Sequence, residues 1–142
     1  MANADETFSK SNFIVEIEGV AVGGFSECTG LDTESAVIEY RNGNEDTTVR
    51  KIPGLKKFGN IVLKRGITRG RELWEWRKQV MDGRTERRSG SIILLDEGRE
   101  EVLRWNFHRG WPARWSGPAL NSMANEIAIE TLEIAHEGLE LS

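Results

Sequence analysis

Along residues 13–18 the side chains alternate, with Phe13, Val15 and Ile17 on one side and Glu16 and Glu18 on the other. A period of two is that of a half-buried strand. The pattern recurs over Glu34–Arg41, where Val37 and Glu39 oppose Ile38 and Tyr40, and over Phe58–Thr68 around Ile61, Val62 and Leu63. It returns over Val102–Arg109, where Leu103, Trp105 and Phe107 share a side opposite Arg104, Asn106 and His108. Ser91–Leu95 reads as a shorter strand, apolar on both faces. Gly19, Gly23-Gly24, Asn42-Gly43 and Glu97-Gly98 mark turns, and Gly110-Trp111-Pro112 and Gly117-Pro118 predict two breaks in the chain.

One stretch changes period. Leu73, Trp76 and Val80, with Trp74 beside them and Gly83 just beyond, predict a short amphipathic helix over about 70–82. The C-terminal segment reads two ways. Glu126, Glu130, Glu133 and Glu137 recur at helical spacing. Ile127 and Ile129 alternate instead, as do Leu132 and Ile134 with shifted parity, which suits a strand bulged near Glu130-Thr131. Between the second and third strands, Arg50, Lys51, Lys56 and Lys57 surround Ile52, Pro53, Gly54 and Leu55, with Phe58 closing the segment. This reads as a cationic loop with an apolar tip. Exposed apolar residues favour a partner, so the loop is expected to insert into one.

At 142 residues the expectation is one domain over 1–142, with residues 1–10 as a flexible arm. The single cysteine, Cys28, excludes an intramolecular disulfide and reads as a small buried hydrophobe in a reducing cytoplasm. No apolar run approaches the roughly 20 residues that span a bilayer, and MANADETFSKSN carries no signal-peptide core. Assembly in the cytoplasm is expected, followed by release on lysis or retention at the cell. Charge divides sharply. Residues 50–115 hold 17 of the 19 Lys+Arg and 8 of the 23 Asp+Glu, a balance of +9, while the flanks stand at −13. This suits two solvated faces, or one face complementary to another on a second copy, a contact that builds rings or filaments.

Candidate chemistry is sparse. His108 and His136 lie far apart, without Cys or His at ligand spacing, and no nucleophile elbow, phosphate loop or dinucleotide motif occurs. No catalytic residue, metal site or cofactor is expected. Glu16/Glu18 and Glu100/Glu101 are carboxylate pairs of the kind that solvation explains. Arg84, Arg87 and Arg88 form either a solvated or salt-bridging rim or a phosphate contact. In WNFHRGWPARW, Trp105 and Phe107 read as core, whereas Trp111 and Trp115 are candidate interface anchors; stacking on single-stranded nucleic acid is the other use of such a sequence.

Four segments taken together, GFSECTGLDTESAVIEYRNGN, KIPGLKKFGNIVLKRGIT, WNFHRGWPARWSGPAL and EIAIETLEIAHEGLEL, resemble the tail-tube proteins of contractile phages and phage-derived contractile injection systems. The resemblance runs from about Phe13 to Leu141. It implies a mainly β fold: two packed antiparallel sheets forming a sandwich or barrel, with one short flanking helix. It also implies hexameric rings stacked into a tube, and it favours a strand over a helix for Glu126–Glu137. Partners would be further copies, sheath, baseplate or spike hub, a terminator cap, and DNA or protein cargo in the lumen. Matched onto this chain, the family's long loop is 42–58, with Leu55 and Pro53 buried in a neighbour. Glu16, Glu18, Glu34, Glu39, Glu126 and Glu130 are the candidates for an acidic lumen. The alternatives are a type VI secretion-type tube, a nucleic-acid module using the basic segment 50–115, and a small-ligand barrel.

Overall fold

The computed structural model describes residues 6–10, 12–20, 24–41, 43–44 and 47–142. Of the expected arm, residues 1–5 lie outside this set, and so do Gly23, Asn42 and the pair 45–46, on which two expected turns and part of the expected loop fall. Residues 6–10 are exposed and form no strand.

Strands β1 (Phe13–Ile17), β2 (Glu27–Thr29), β3 (Thr33–Tyr40), β4 (Arg50–Phe58) and β5 (Ile61–Gly66) precede α1 (Glu72–Met81), the one helix among the described residues. After it come β6 (Arg88–Leu95), β7 (Glu101–Ser116), β8 (Ile129–Ala135) and β9 (Gly138–Leu141). All pairings are antiparallel. The main sheet runs β1-β6-β7-β8-β5-β2, with β9 also on β7; β3 and β4 form a separate two-stranded ribbon.

The 16-residue β7 makes the fold. Its first part pairs with β6 and β9, and its last part, from Trp111, pairs with β8. The expected break at Gly110-Trp111-Pro112 is therefore a bend within one strand that hands it from one half-sheet to the other. Arg109, in the left-handed region at φ 55, and an irregularity between Pro112 and Arg114 produce the bend. Pro112 lies beside that irregularity, where a missing N–H does least damage to the ladder.

The two half-sheets close on each other. Val15, Ile17, Ile92 and Phe107 of one meet Ile61, Leu63, Leu132 and Ile134 of the other, and Leu73 and Trp76 of α1 complete the core. Trp105 packs at its edge, as its shared parity with Phe107 implies. The helix starts and ends within two residues of expectation, and Trp76 donates its indole N–H to the Glu86 carbonyl at 3.0 Å.

The C-terminal segment is a strand, as the resemblance favoured, and the helical stripe of glutamates is incidental. The expected bulge at Glu130-Thr131 is absent, however. β8 holds an unbroken register on β5 from Ile129 to Ile134, and the irregularity sits on β7 instead. The parity shift arises because Glu130 points inward with Leu132 and Ile134, while Ile127 lies before the strand, 80% exposed.

Candidate assembly interface

The expected loop over 42–58 is mostly not a loop. Residues 50–58 form β4, paired with β3 from Thr33↔Phe58 to Tyr40↔Arg50 with one irregularity between Ser35 and Val37. Pro53, opposite Val37, and Gly54 lie within the strand rather than at a turn. They are tolerated because the ribbon has no third strand to demand their hydrogen bonds. Every residue of β3 is exposed, and Val37, Ile38, Ile52 and Leu55 stand 63%, 52%, 43% and 81% exposed. An isolated two-stranded ribbon is marginal in water, and one this apolar is an unfinished surface.

Opposite charges face each other at two of its rungs. Lys57 faces Glu34 and Lys51 faces Glu39 across the ribbon, pairs that favour the register by a few tenths of a kcal/mol. Lys56 faces Ser35 instead. Glu34 and Glu39 thus belong to the ribbon and not to a sandwich wall.

The root of the ribbon is rigidly fixed. Gly30, at φ +90, lies so close to Asn60 that a Cβ would run into the Asn60 carbonyl oxygen. The Gly59 N–H donates to the Asp32 carbonyl at 3.2 Å, and the Asn60 amide donates to Glu133 at 2.8 Å. His136 Nε2 lies 2.9 Å from the Gly59 carbonyl oxygen, its ring tilted against Phe58 and Phe107. Nothing at these positions stands out in the sequence, since each bond or close approach is to a residue far along the chain, from Asp32 with Gly59 to Gly59 with His136, 77 residues apart.

Further along β5 lies an ion triad centred on a buried arginine. Arg65, 3% exposed, bonds Glu130 at 2.6 Å and Glu72 at 2.8 Å, with its guanidinium 5.6 Å from the centre of the Phe25 ring. Burial pulls the Arg65 pKa down, but the hydrogen bonds and charges of Glu130 and Glu72 outweigh it and leave the pKa above its ordinary value. The Glu72 backbone N–H, and then Arg65, hold the Glu72 carboxyl below its ordinary value despite partial burial. Glu130 is therefore not a lumen carboxylate: at 6% exposed it is the cross-strand partner of Arg65. A parity signal existed, because Arg65 shares its side with Ile61 and Leu63, and Glu130 shares its side with Leu132 and Ile134.

The remaining expected residues scatter. Glu16, exposed on β1, approaches Arg104 at 3.5 Å; Glu18 follows β1 in a turn, and Glu126 precedes β8. Trp115 stacks edge-on against Trp74 at 5.1 Å, with its own N–H unpaired, while Trp111 is half-buried opposite Ala135. Of the basic cluster, Arg88 pairs with Glu86 at 3.0 Å, donates to the Glu18 carbonyl at 2.7 Å and lies over Trp76, Arg87 shares Glu137 with Arg109, and the Arg84 backbone N–H caps the helix end at the Gln79 carbonyl. Cys28 is half-buried against the core, and burial pushes its thiol up to about 11.

A bent β7 joining two half-sheets, one flanking helix and a projecting ribbon define a tube-subunit fold. The fold matches a chain of the PVC sheath–tube complex, an extracellular contractile injection system, with TM-score 0.87 and 24% identity over 98% of this chain and 93% of that one. It matches a chain of the PVC sheath/tube terminator at TM-score 0.87 and 25% identity over 99% of each. Hcp1 from Flavobacterium johnsoniae matches more loosely, at TM-score 0.54 and 15% identity over 90% of this chain and 94% of that one. No curated protein matches in sequence. Residues 9–140 match the family described as T4-like virus tail tube protein gp19, and the chain belongs to that family. It is a structural subunit of a contractile tail or injection-system tube.

Proposed function

We propose that six copies close into a ring, that rings stack into a hollow tube, and that a contracting sheath drives this tube into a target envelope to deliver DNA or protein. The β3–β4 ribbon carries this reading: it is exposed along all of β3 and is finished only by another protein surface. Burying a side chain such as Leu55 is worth about 1.5–3 kcal/mol, whereas an exposed ion pair gives about 0–1 kcal/mol. The apolar residues of the ribbon therefore supply the affinity and the lysines set orientation.

The related structures include a sheath–tube complex, a terminator, a baseplate and a tube-terminating cap, which supports sheath, baseplate or spike hub, and cap as partners here. The subunit works without catalysis and without entering a membrane itself, and it assembles in the cytoplasm as one domain with a short N-terminal arm. No helix among the described residues is long and apolar enough to cross a membrane. Of the expected lumen residues, Glu16, Glu18 and Glu126 are the exposed ones outside the ribbon. Acidic groups there would keep nucleic acid from adhering. A type VI-type tube is the second reading, favoured by the looser Hcp1 likeness.

Electron microscopy of the protein co-produced with sheath and baseplate proteins tests this. Hollow tubes built of six-fold rings are expected; a strict monomer under those conditions refutes the reading. Steeply salt-dependent DNA binding would instead favour a nucleic-acid module.

A further inference from the structure

Gly59 and Asn60 carry the chain from β4 into β5, and half-buried His136 lies in the turn between β8 and β9. Both ring nitrogens of His136 meet acceptors. Nε2 lies 2.9 Å from the Gly59 carbonyl oxygen, and Nδ1 lies 3.0 Å from the Gly138 carbonyl oxygen. A carbonyl oxygen only accepts, whereas a neutral imidazole has one N–H and one lone pair. In either neutral tautomer, one of the two contacts therefore sets a nitrogen lone pair against an oxygen lone pair. Only the imidazolium fills both contacts with N–H donors, and both bonds are then charge-assisted. The ring also lies 5.8 Å from the centre of Phe58 and 6.0 Å from that of Phe107, distances at which aromatic rings attract a cation. Several charged groups stand around it. Asp32 lies beside Gly59, Glu133 of β8 accepts the Asn60 amide, and Glu137 is shared by Arg87 and Arg109. His108 of β7 lies beside Gly138 and faces Glu140 at 3.7 Å.

We propose that His136 is a proton-operated clasp at the root of the ribbon. Doubly protonated, it ties the end of β4, through Gly59, to the start of β9, through Gly138. On losing one proton to solvent it lets go of one carbonyl, and the ribbon gains freedom to change its angle on the sandwich. The clasp is closed at low pH, where the imidazole holds both protons. It opens as pH rises through the titration of the ring, in the interval of about pH 5 to 8 where histidines change charge. The Gly59 N–H bond to the Asp32 carbonyl and the Asn60 amide bond to Glu133 do not use this proton, so the root is loosened and not undone.

Magic-angle-spinning NMR of the full-length chain, labelled with nitrogen-15 on histidine, tests the clasp whether the protein is free or assembled. The chain has two histidines, so His108→Gln identifies the resonances of His136. Below the titration midpoint, two ring N–H protons sheltered from exchange with water are expected for His136, and above it one. In parallel, hydrogen exchange of the segment 58–61 is followed by mass spectrometry and corrected for the intrinsic effect of pH. Its protection should fall about tenfold across the same midpoint, the effect of losing one charge-assisted bond. His136→Gln, which cannot titrate, should give a protection that no longer varies with pH. A low-pH imidazolium with either N–H exchanging freely with water overturns the proposal, because that ring is not held at both ends. A titration that leaves the protection of 58–61 unchanged also overturns it, as does a pH dependence that persists in His136→Gln.

Discussion

Strands β3 and β8 have similar lengths, eight and seven residues, and both mix aliphatic with acidic side chains. All of β3 is exposed, whereas Glu130, Leu132 and Ile134 of β8 are buried. The difference is one of neighbours. β8 lies between β5 and β7 with α1 and the opposite half-sheet over its inner face, so even a glutamate there is enclosed and held by Arg65. β3 has only β4. The sandwich is complete within one chain, while the ribbon is complete only in an assembly.

That contrast can be broken first in the sandwich. Phe107→Ala empties the centre of the core, where Phe107 is fully buried between the half-sheets, and should cost about 3–5 kcal/mol in denaturant unfolding. Glu130→Ala strands the Arg65 guanidinium with Glu72 alone in a buried site and should cost a comparable amount, about 3–5 kcal/mol, by the same measurement. A loss below about 1 kcal/mol would show that water reaches the triad.

Gly30→Ala tests the hinge between the two regions. It places a Cβ against Asn60 at a left-handed φ and should destabilise by about 1–3 kcal/mol. Assembly should suffer more than thermal stability, because the ribbon is re-aimed. The triad also gives a pH signature. The Glu72 carboxyl has its folded pKa below the ordinary 4.5, so its contribution is complete above that value and is lost as pH falls through the folded pKa. Glu72→Gln should therefore flatten the acid side of a melting-temperature profile and leave its shape unchanged from neutral pH upward. The smallest effect on the subunit comes from the ribbon. Leu55→Asp should change folding stability by less than about 0.5 kcal/mol, yet abolish tubes under the electron microscope. Normal tubes from that variant would remove Leu55 from the interface.

Much of the sandwich was legible because a two-residue period survives whatever packs against it: β1, the start of β7 and the inward side of β5 all follow their alternation. The helix was legible for the same reason at period 3.6. Three readings failed where a long-range partner overrides a local signal. Pro53-Gly54 looked like the tip of a loop and is strand, because a two-stranded ribbon leaves one side of each strand without ladder bonds. Gly110-Trp111-Pro112 looked like a break and is a bend, because β7 changes partners there. Glu130 looked like a wall carboxylate and is buried, because Arg65 lies directly across from it.

By itself, then, the order of apolar and polar residues determined a chain of mostly strands with one helix after the third strand it marks, a separation of charge along the chain, and an apolar, lysine-rich segment unsuited to remain in water. Periodicity and charge are properties of neighbouring residues, and they pass directly into local structure. The tertiary structure alone decided that this segment is a ribbon held at Gly30, Asn60 and His136, and that Arg65 and Glu130 neutralise each other inside. Each of these depends on residues far apart in sequence meeting within a few ångströms, a proximity that the closing of two half-sheets around Phe107 creates.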